Sequence, residues 1–406
     1  MPQSLDGRRV PFDSTDPNSA GRVAVIVLFS AVVAMLLLMA PAAASQLQLQ
    51  LALSPSQTGD LFAAELGAMS IASIPALWWM KKYNLRTMST IFGTIFIIGN
   101  IGSAYIGDYG TLVAVRFLTS LAGGSLMVLC MSLAAQTRDR NRVYGLWLMG
   151  QLCFGAIGLA VLPKFFDTFG IGIAYWVLSI LMMVVLPLVR FLPQRNIFVG
   201  RAGDEDSVPT PNYALRATLG LIALLAFYVS LSGIWTFLGG IAGASMIGNE
   251  TSSVILSIAT VLGIAGSVGA TVLGARPSTR INLLVGYLAM TLSVALLAGI
   301  PGVLRFTLAA LLFKFTWTFI LPYLMATLSG LDRSGQLVNL ANLAIGGGFA
   351  LGPLMGGRLV ESAGGYGTLI AVSVAGLVLS LVLILVAQPQ RTAAANSTVA
   401  VSHMVQ

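Results

Sequence analysis

Twelve long apolar runs, separated by short polar stretches, organise the chain. They cover approximately residues 22–45, 57–80, 86–106, 110–135, 142–165, 171–192, 214–240, 252–275, 280–300, 303–328, 336–361 and 367–388. Each is long enough to cross a hydrocarbon core about 30 Å thick as a helix of roughly 20 residues. Only a helix or a closed barrel satisfies its backbone polar groups in lipid, and these runs are too long and uniformly apolar for alternating barrel strands. The pattern therefore predicts an all-α multi-pass membrane protein of 12 transmembrane helices. The longest internal polar stretch, 193–213, carries Arg195, Arg201, Asp204-Glu205-Asp206, Pro209 and Pro211, and it divides the helices six and six. The expected organisation is a disordered cytoplasmic tail at 1–21, a six-helix bundle at 22–192, a cytoplasmic linker at 193–213, a second bundle at 214–388, and a disordered cytoplasmic tail at 389–406. Arg8, Arg9 and Arg22 ahead of the first run, and Ala42-Ala43-Ala44-Ser45 behind it, imitate a signal peptide. The run exceeds the usual h-region of about 7–15 residues, so it is read as an uncleaved first helix.

Composition sharpens this picture. Hydrophobic residues make up 57% of the 406 positions and charged residues only 9%, against about 25% charged in soluble domains. There is too little polar side chain for a water-facing surface, which excludes a soluble globular enzyme. Cys130 and Cys153 sit in apolar runs, and the single histidine, His403, lies in the polar C-terminal tail. A disulfide framework, a Cys- or His-based metal site and a Ser-His-Asp triad are thereby excluded. No GxxxxGK[ST] run offers a nucleotide site. Neither cofactor nor metal nor enzymatic activity is expected.

Charge gives the orientation. With a cytoplasmic N-terminus, 17 of the 22 Lys and Arg residues fall in cytoplasmic ends and loops, as the positive-inside rule requires. Both termini are then cytoplasmic, in a plasma membrane of the bacterial inner-membrane kind. The net charge of +8 is answered by anionic lipid headgroups, with no call for nucleic acid.

A shift of 193 residues superposes the halves: Asp139-Arg140 falls on Asp332-Arg333, and Gly155 on Gly348. Parallel repeats of this sort surround a midplane site in transporters. The eleventh helix contains Gly348-Phe-Ala-Leu-Gly352-Pro353-Leu-Met-Gly356-Gly357, a GxxxGPxxGG pattern; the fifth keeps Gly150, Gly155, Gly158 and Pro163. Glycines four apart allow close backbone approach, and a proline bends the helix, which suits a contact between moving halves. The fourth helix contains Arg116-Phe-Leu-Thr-Ser120-Leu-Ala-Gly123-Gly124, an arginine followed by small residues four and eight places on.

Two six-helix halves, a central loop and these motifs resemble the major facilitator superfamily over about 22–388. The resemblance implies alternating access between two rocking bundles, with helices one, four, seven and ten lining a central cavity. It also associates the arginine at position 116 with proton coupling. In proton-driven drug antiporters of this family the GxxxGPxxGG pattern sits in helix five, whereas here it is in helix eleven. The loop between helices two and three, Trp79-Met-Lys81-Lys82-Tyr-Asn-Leu-Arg86, keeps the basic residues of the family's pattern and lacks its aspartate. The loop at 274–280 lacks it too.

Ionisable residues at membrane depth are the candidate site, because their burial is costly and they normally face protein or water. Arg116 lies about 9 Å in from Gly110, and Glu65 about 12 Å in from the end of its helix. An ion pair between them is geometrically allowed, and such a pair can switch a proton. Lys314 lies about 18 Å from Gly302, near the midplane, with Trp317 three residues on and on the same face. Tyr228, Ser232 and Trp235 share one face of helix seven. Asp60 is expected to be a cap or rim residue, Arg305 to reach the headgroups, and Gln336, Asn339 and Asn342 to form an amide row in helix packing. Substrate binding is assigned to Lys314, Arg116, Trp317, Tyr228, Ser232 and Trp235, proton coupling to Glu65 and Arg116, and gating or helix packing to Gly124, Gly348, Gly352, Pro353, Gly356 and Gly357. The function expected is proton-coupled secondary transport of a small organic solute, an anion by preference, by a monomer in the lipid bilayer. Efflux of lipophilic compounds and a non-transporting receptor on the same fold are the alternatives.

Overall fold

The computed structural model describes residues 18–194, 213–274, 276, 278–331 and 336–388. Most of the expected tails and linker, the Asp332-Arg333 pair, and Ala275 and Pro277 of the 274–280 loop lie outside these residues. Among the described residues there are helices and no strand. The first half comprises Ala20–Leu38 with Ala40–Leu51, Pro55–Ile71 with Ser73–Lys82, Leu85–Ser103, Tyr109–Ala135, Arg140–Val161 and Gly172–Val185. The second comprises Tyr213–Ala244, Asn249–Leu273, Thr279–Ala295, Val303–Ser329, Gln336–Glu361 and Gly365–Ala387. Eleven spans are long and apolar enough to cross a membrane, and the ninth is a shorter apolar helix of 17 residues. The chain is a 12-helix membrane protein of two pseudo-symmetric bundles. We call the face on which the first span starts and the last one ends proximal, and the opposite face distal.

Span ends are fixed by side chains that answer the exposed N–H groups of a first turn. Ser54 and Gln57 form a capping box, with Pro55 in the first turn. Asp108 accepts from the Thr111 N–H at 2.8 Å, which holds its carboxyl below the usual carboxylate range. Asp139 accepts from the Arg142 N–H at 3.1 Å.

The first two spans are broken, each for a reason visible in its sequence. Proline has no N–H and its ring crowds the carbonyl four residues back. Pro41 thus removes the partner of the Leu37 carbonyl, and the first span breaks at Met39. Pro75 does the same to Ile71, and the second breaks at Ala72. The breaks redirect the chain. Ala20–Leu38 packs inside its own half, while Ala40–Leu51 packs on the seventh span of the other half. Likewise Pro55–Ile71 lies on the eleventh span, and Ser73–Lys82 stays against the fourth. The first span also stays helical to Leu51, further than the uncharged 46–56 segment suggested.

Between helices in lipid there is little hydrophobic driving force, so close packing of small residues carries the association. A Cβ on Gly150, Gly155 or Gly158 of the fifth span would collide with Val27, Leu38 or Met39 of the first. A Cβ on Gly348, Gly352 or Gly356 would press on Tyr228, Ser232 or Phe237 of the seventh. These are the same contacts repeated by the pseudo-symmetry. Gly124 meets Met69 and Ala72 at the break in the second span, within the first half. The GxxxGPxxGG motif therefore does two jobs. Three of its glycines hold the seventh span, while Gly357 abuts Pro55 and the Pro353 carbonyl abuts Gly59, across the seam between halves. The fifth and eighth spans close the seam elsewhere, where the Ser257 hydroxyl donates to the Ala156 carbonyl at 2.7 Å. Large apolar side chains such as Leu118, Ile180, Val285 and Val382 remain exposed, as a lipid-facing surface requires. Asn342, the one member of the amide row with a described side chain, is exposed too.

Gly352→Val should force the seventh and eleventh spans apart and destabilise the protein by about 1–3 kcal/mol, seen as a lower Tm in detergent. Gly145 has nothing within 4 Å of a Cβ, so Gly145→Ala should leave Tm unchanged or slightly raised.

Candidate functional site

The tenth span brings Lys314 into the interior of the second half. Its Nζ lies 3.9 Å from the ring centroid of Trp235 and 3.8 Å from that of Trp317. The side chain is 1% exposed, and among the described residues the ammonium nitrogen has no hydrogen-bond partner. Trp235 stacks on Phe313 with 6.3 Å between centroids, and Trp317 leans on Phe349 at 6.0 Å. Gly263 of the eighth span walls the lysine stem, since a Cβ there would touch Lys314 Cγ at 3.4 Å. Two indole faces return about 2 kcal/mol each to a desolvated cation. Burying an ammonium costs several kcal/mol. The cage offsets part of that cost and leaves the N–H donors of Nζ unanswered among the described residues.

Of the three residues expected on one face of the seventh span, Trp235 alone touches Lys314. Tyr228 packs against Phe227 and Phe349. The Ser232 hydroxyl donates to the Gly348 carbonyl at 2.9 Å, across the glycine contact between the seventh and eleventh spans. Trp235 has a second engagement. Its indole N–H donates to the Leu37 carbonyl at 3.1 Å, the acceptor released by Pro41.

Arg116 and Glu65 form a buried ion pair, 2% and 5% exposed. The guanidinium also donates to Asn100 Oδ1 at 2.8 Å and lies 4.8 Å from the Tyr175 ring centroid. A void of about 10 Å³ borders the pair, with Leu37, Ser120 and Gly123 in its lining. That is close to the least room one water needs. Arg116 is thus engaged within the first half, and Lys314 within the second. Leu37 touches both neighbourhoods, through the void on one side and Trp235 on the other.

At the distal seam Arg358 donates to Asp60 Oδ1 at 2.6 Å. The Glu361 carboxylate accepts from the Ser56 N–H at 3.1 Å and from its hydroxyl at 2.5 Å, capping the second span from the other half. Sequence reasoning placed Asp60 at the rim and gave neither pairing, because the partners are 298 and 305 residues apart. Phe313, Phe349, Asn100 and Tyr175 were likewise missed. Phe313 at i−1 of Lys314 was the one available signal. Arg305, at its span's end, donates to the Ala298 carbonyl. Among the described residues no group of three His, Cys, Asp or Glu is placed to hold a metal.

Known proteins resemble this chain in sequence and fold. Residues 24–331 match the Major Facilitator Superfamily. The chain belongs to that superfamily. The inner membrane transport protein YdhP of Escherichia coli strain K12 is 26% identical over 342 residues, covering 80% of this chain and 85% of that protein. The 3-(3-hydroxy-phenyl)propionate transporter of the same strain is 24% identical over 362 residues, covering 84% and 87%. The crystal structure of the nucleoside transporter NupG has the same fold, with a TM-score of 0.69 at 15% identity, over 91% of this chain and 98% of that one. The protein is a membrane transporter of this superfamily.

Removing one partner of a buried pair leaves the other charge uncompensated. Glu65→Ala and Arg116→Ala should each cost about 3–5 kcal/mol, and the double variant should cost clearly less than their sum. Unfolding of all four proteins in one detergent checks this; additive costs would show that the pair is not coupled.

Proposed function

We propose that this superfamily member is a secondary active transporter that moves a small organic anion by alternating access, coupled to protons. The observation that carries the reading is Lys314, a buried ammonium between two indole faces with its N–H donors unanswered. A carboxylate would satisfy those donors, and Phe313, Trp317 and Phe349 would pack an apolar or aromatic body. A relative named for transport of an aryl propionate supports the same chemistry. Trp235 and Trp317 hold the cation in place; Tyr228 and Ser232 brace the seventh span behind them.

Glu65 is the proton carrier in this reading, and Arg116 tunes it. Glu65 is buried in contact with the Arg116 guanidinium, and movement of the fourth span relative to the second would part them. The basic residues of the proximal loops support an inner-membrane placement with that face toward the cytoplasm. The halves meet through the distal piece of the first span, the second, fifth, seventh, eighth and eleventh spans, which fits a conformer closed toward the distal face.

Purified protein in proteoliposomes should accumulate an aromatic carboxylate such as 3-phenylpropionate when a pH gradient is imposed. Lys314→Ala should weaken binding about 10–100-fold, the worth of one hydrogen bond to a charged group. A carrier of lipophilic cations would be nearly indifferent to that change, and a receptor would bind without flux. Glu65→Gln should lose pH-driven accumulation and keep carboxylate exchange; unchanged coupling would remove Glu65 from the proton path.

A further inference from the structure

A cavity of about 690 Å³ opens at the distal ends of the first, fifth, seventh and eighth spans, with Pro41, Ser45, Lys164, Asp167, Gly239 and Glu250 among its walls. Lys164 faces Glu250 across the seam at 3.8 Å. Pro41 and Gly239 form a close approach of the first and seventh spans, where a Cβ on Gly239 would collide with the Pro41 carbonyl. Leu37 and Trp235 are each four residues before them, one helical turn deeper. There the indole N–H of Trp235 donates to the Leu37 carbonyl, and the same ring lies against Lys314 Nζ. Along these two spans the material between cavity and ammonium is thus a glycine–proline contact and one hydrogen bond.

We propose that the Trp235–Leu37 hydrogen bond is the distal gate of the Lys314 site, and that the cavity is the vestibule on its far side. Trp235 is a positioning residue shared between two tasks. With the gate shut, its N–H is held by the first span and its ring face covers the ammonium. When the spans part, the N–H loses its carbonyl and turns to the carboxylate on Lys314; this last clause rests on the anion reading above. Pro41 makes the gate possible. Any other residue at position 41 would supply an N–H to the Leu37 carbonyl within the helix and compete with Trp235 for it.

The gate is testable without a substrate. Ser257 is buried in the seam between the fifth and eighth spans, so Ser257→Cys, in a background of Cys130→Ser and Cys153→Ser, reports seam opening by its rate of reaction with a maleimide. Trp235→Phe keeps a ring over Lys314 and removes the N–H. Pro41→Ala leaves Trp235 intact and restores the rival donor. Both should speed labelling about five-fold, the population change that one net hydrogen bond supports. Gly239→Ala, which wedges the same contact, is the positive control. Wild-type rates in Pro41→Ala and Trp235→Phe, with faster labelling in Gly239→Ala, would overturn the gate. Binding of 3-phenylpropionate separates the two readings. Trp235→Phe should bind it more weakly and Pro41→Ala at least as tightly as wild type. Faster labelling in both variants without binding in any protein would leave the gate standing and remove the anion reading.

Discussion

In a bilayer a backbone carbonyl without a partner has no water to turn to. Pro41 creates such a carbonyl at Leu37, and the structure answers it with the indole N–H of Trp235 from the other half of the molecule. That exchange is one of the contacts that tie the halves together on the distal side. It also fixes the ring that covers Lys314 and bends the first span so that Ala40–Leu51 lies on the seventh. A local defect in one helix thereby becomes one link between two bundles.

The same economy appears along the rest of the seam. The eleventh span uses alternate faces of a single glycine-rich motif. Gly348, Gly352 and Gly356 hold the seventh span, and Pro353 with Gly357 meets the second. Contacts of this kind let backbones approach closely and exclude lipid between the spans. The polar contacts on the distal rim, the Arg358–Asp60 ion pair and the Ser56–Glu361 hydrogen bonds, are solvent-exposed, and an exposed ion pair is individually weak. The seam is thus built from small residues and exposed polar contacts.

The two buried ionisable systems differ in their partners. Arg116 is engaged by Glu65 and Asn100 and packed on Tyr175. Lys314 is left with aromatic faces, which stabilise a cation without neutralising it. The former arrangement joins the second, third and fourth spans through hydrogen bonds; the latter leaves the Nζ donors without a partner among the described residues.

Sequence determined the spans, their number and their grouping, because lipid imposes a length and composition that apolar runs display directly. It also marked Glu65, Arg116 and Lys314, since an ionisable residue at membrane depth stands out against its surroundings. It even placed Glu65 and Arg116 at matching depth, because rise per residue converts position into distance. Which groups meet was another matter. Trp235 was legible as a face of the seventh span, yet its acceptor, Leu37, is an ordinary apolar residue whose chemistry lies in a carbonyl freed four positions away. Asp60 and Arg358 are distant in the chain and become neighbours only when the second and eleventh spans pack antiparallel. Depth along a helix is a one-dimensional property that the chain carries by itself; partnership across helices depends on rotation and packing, and the tertiary structure alone decides those.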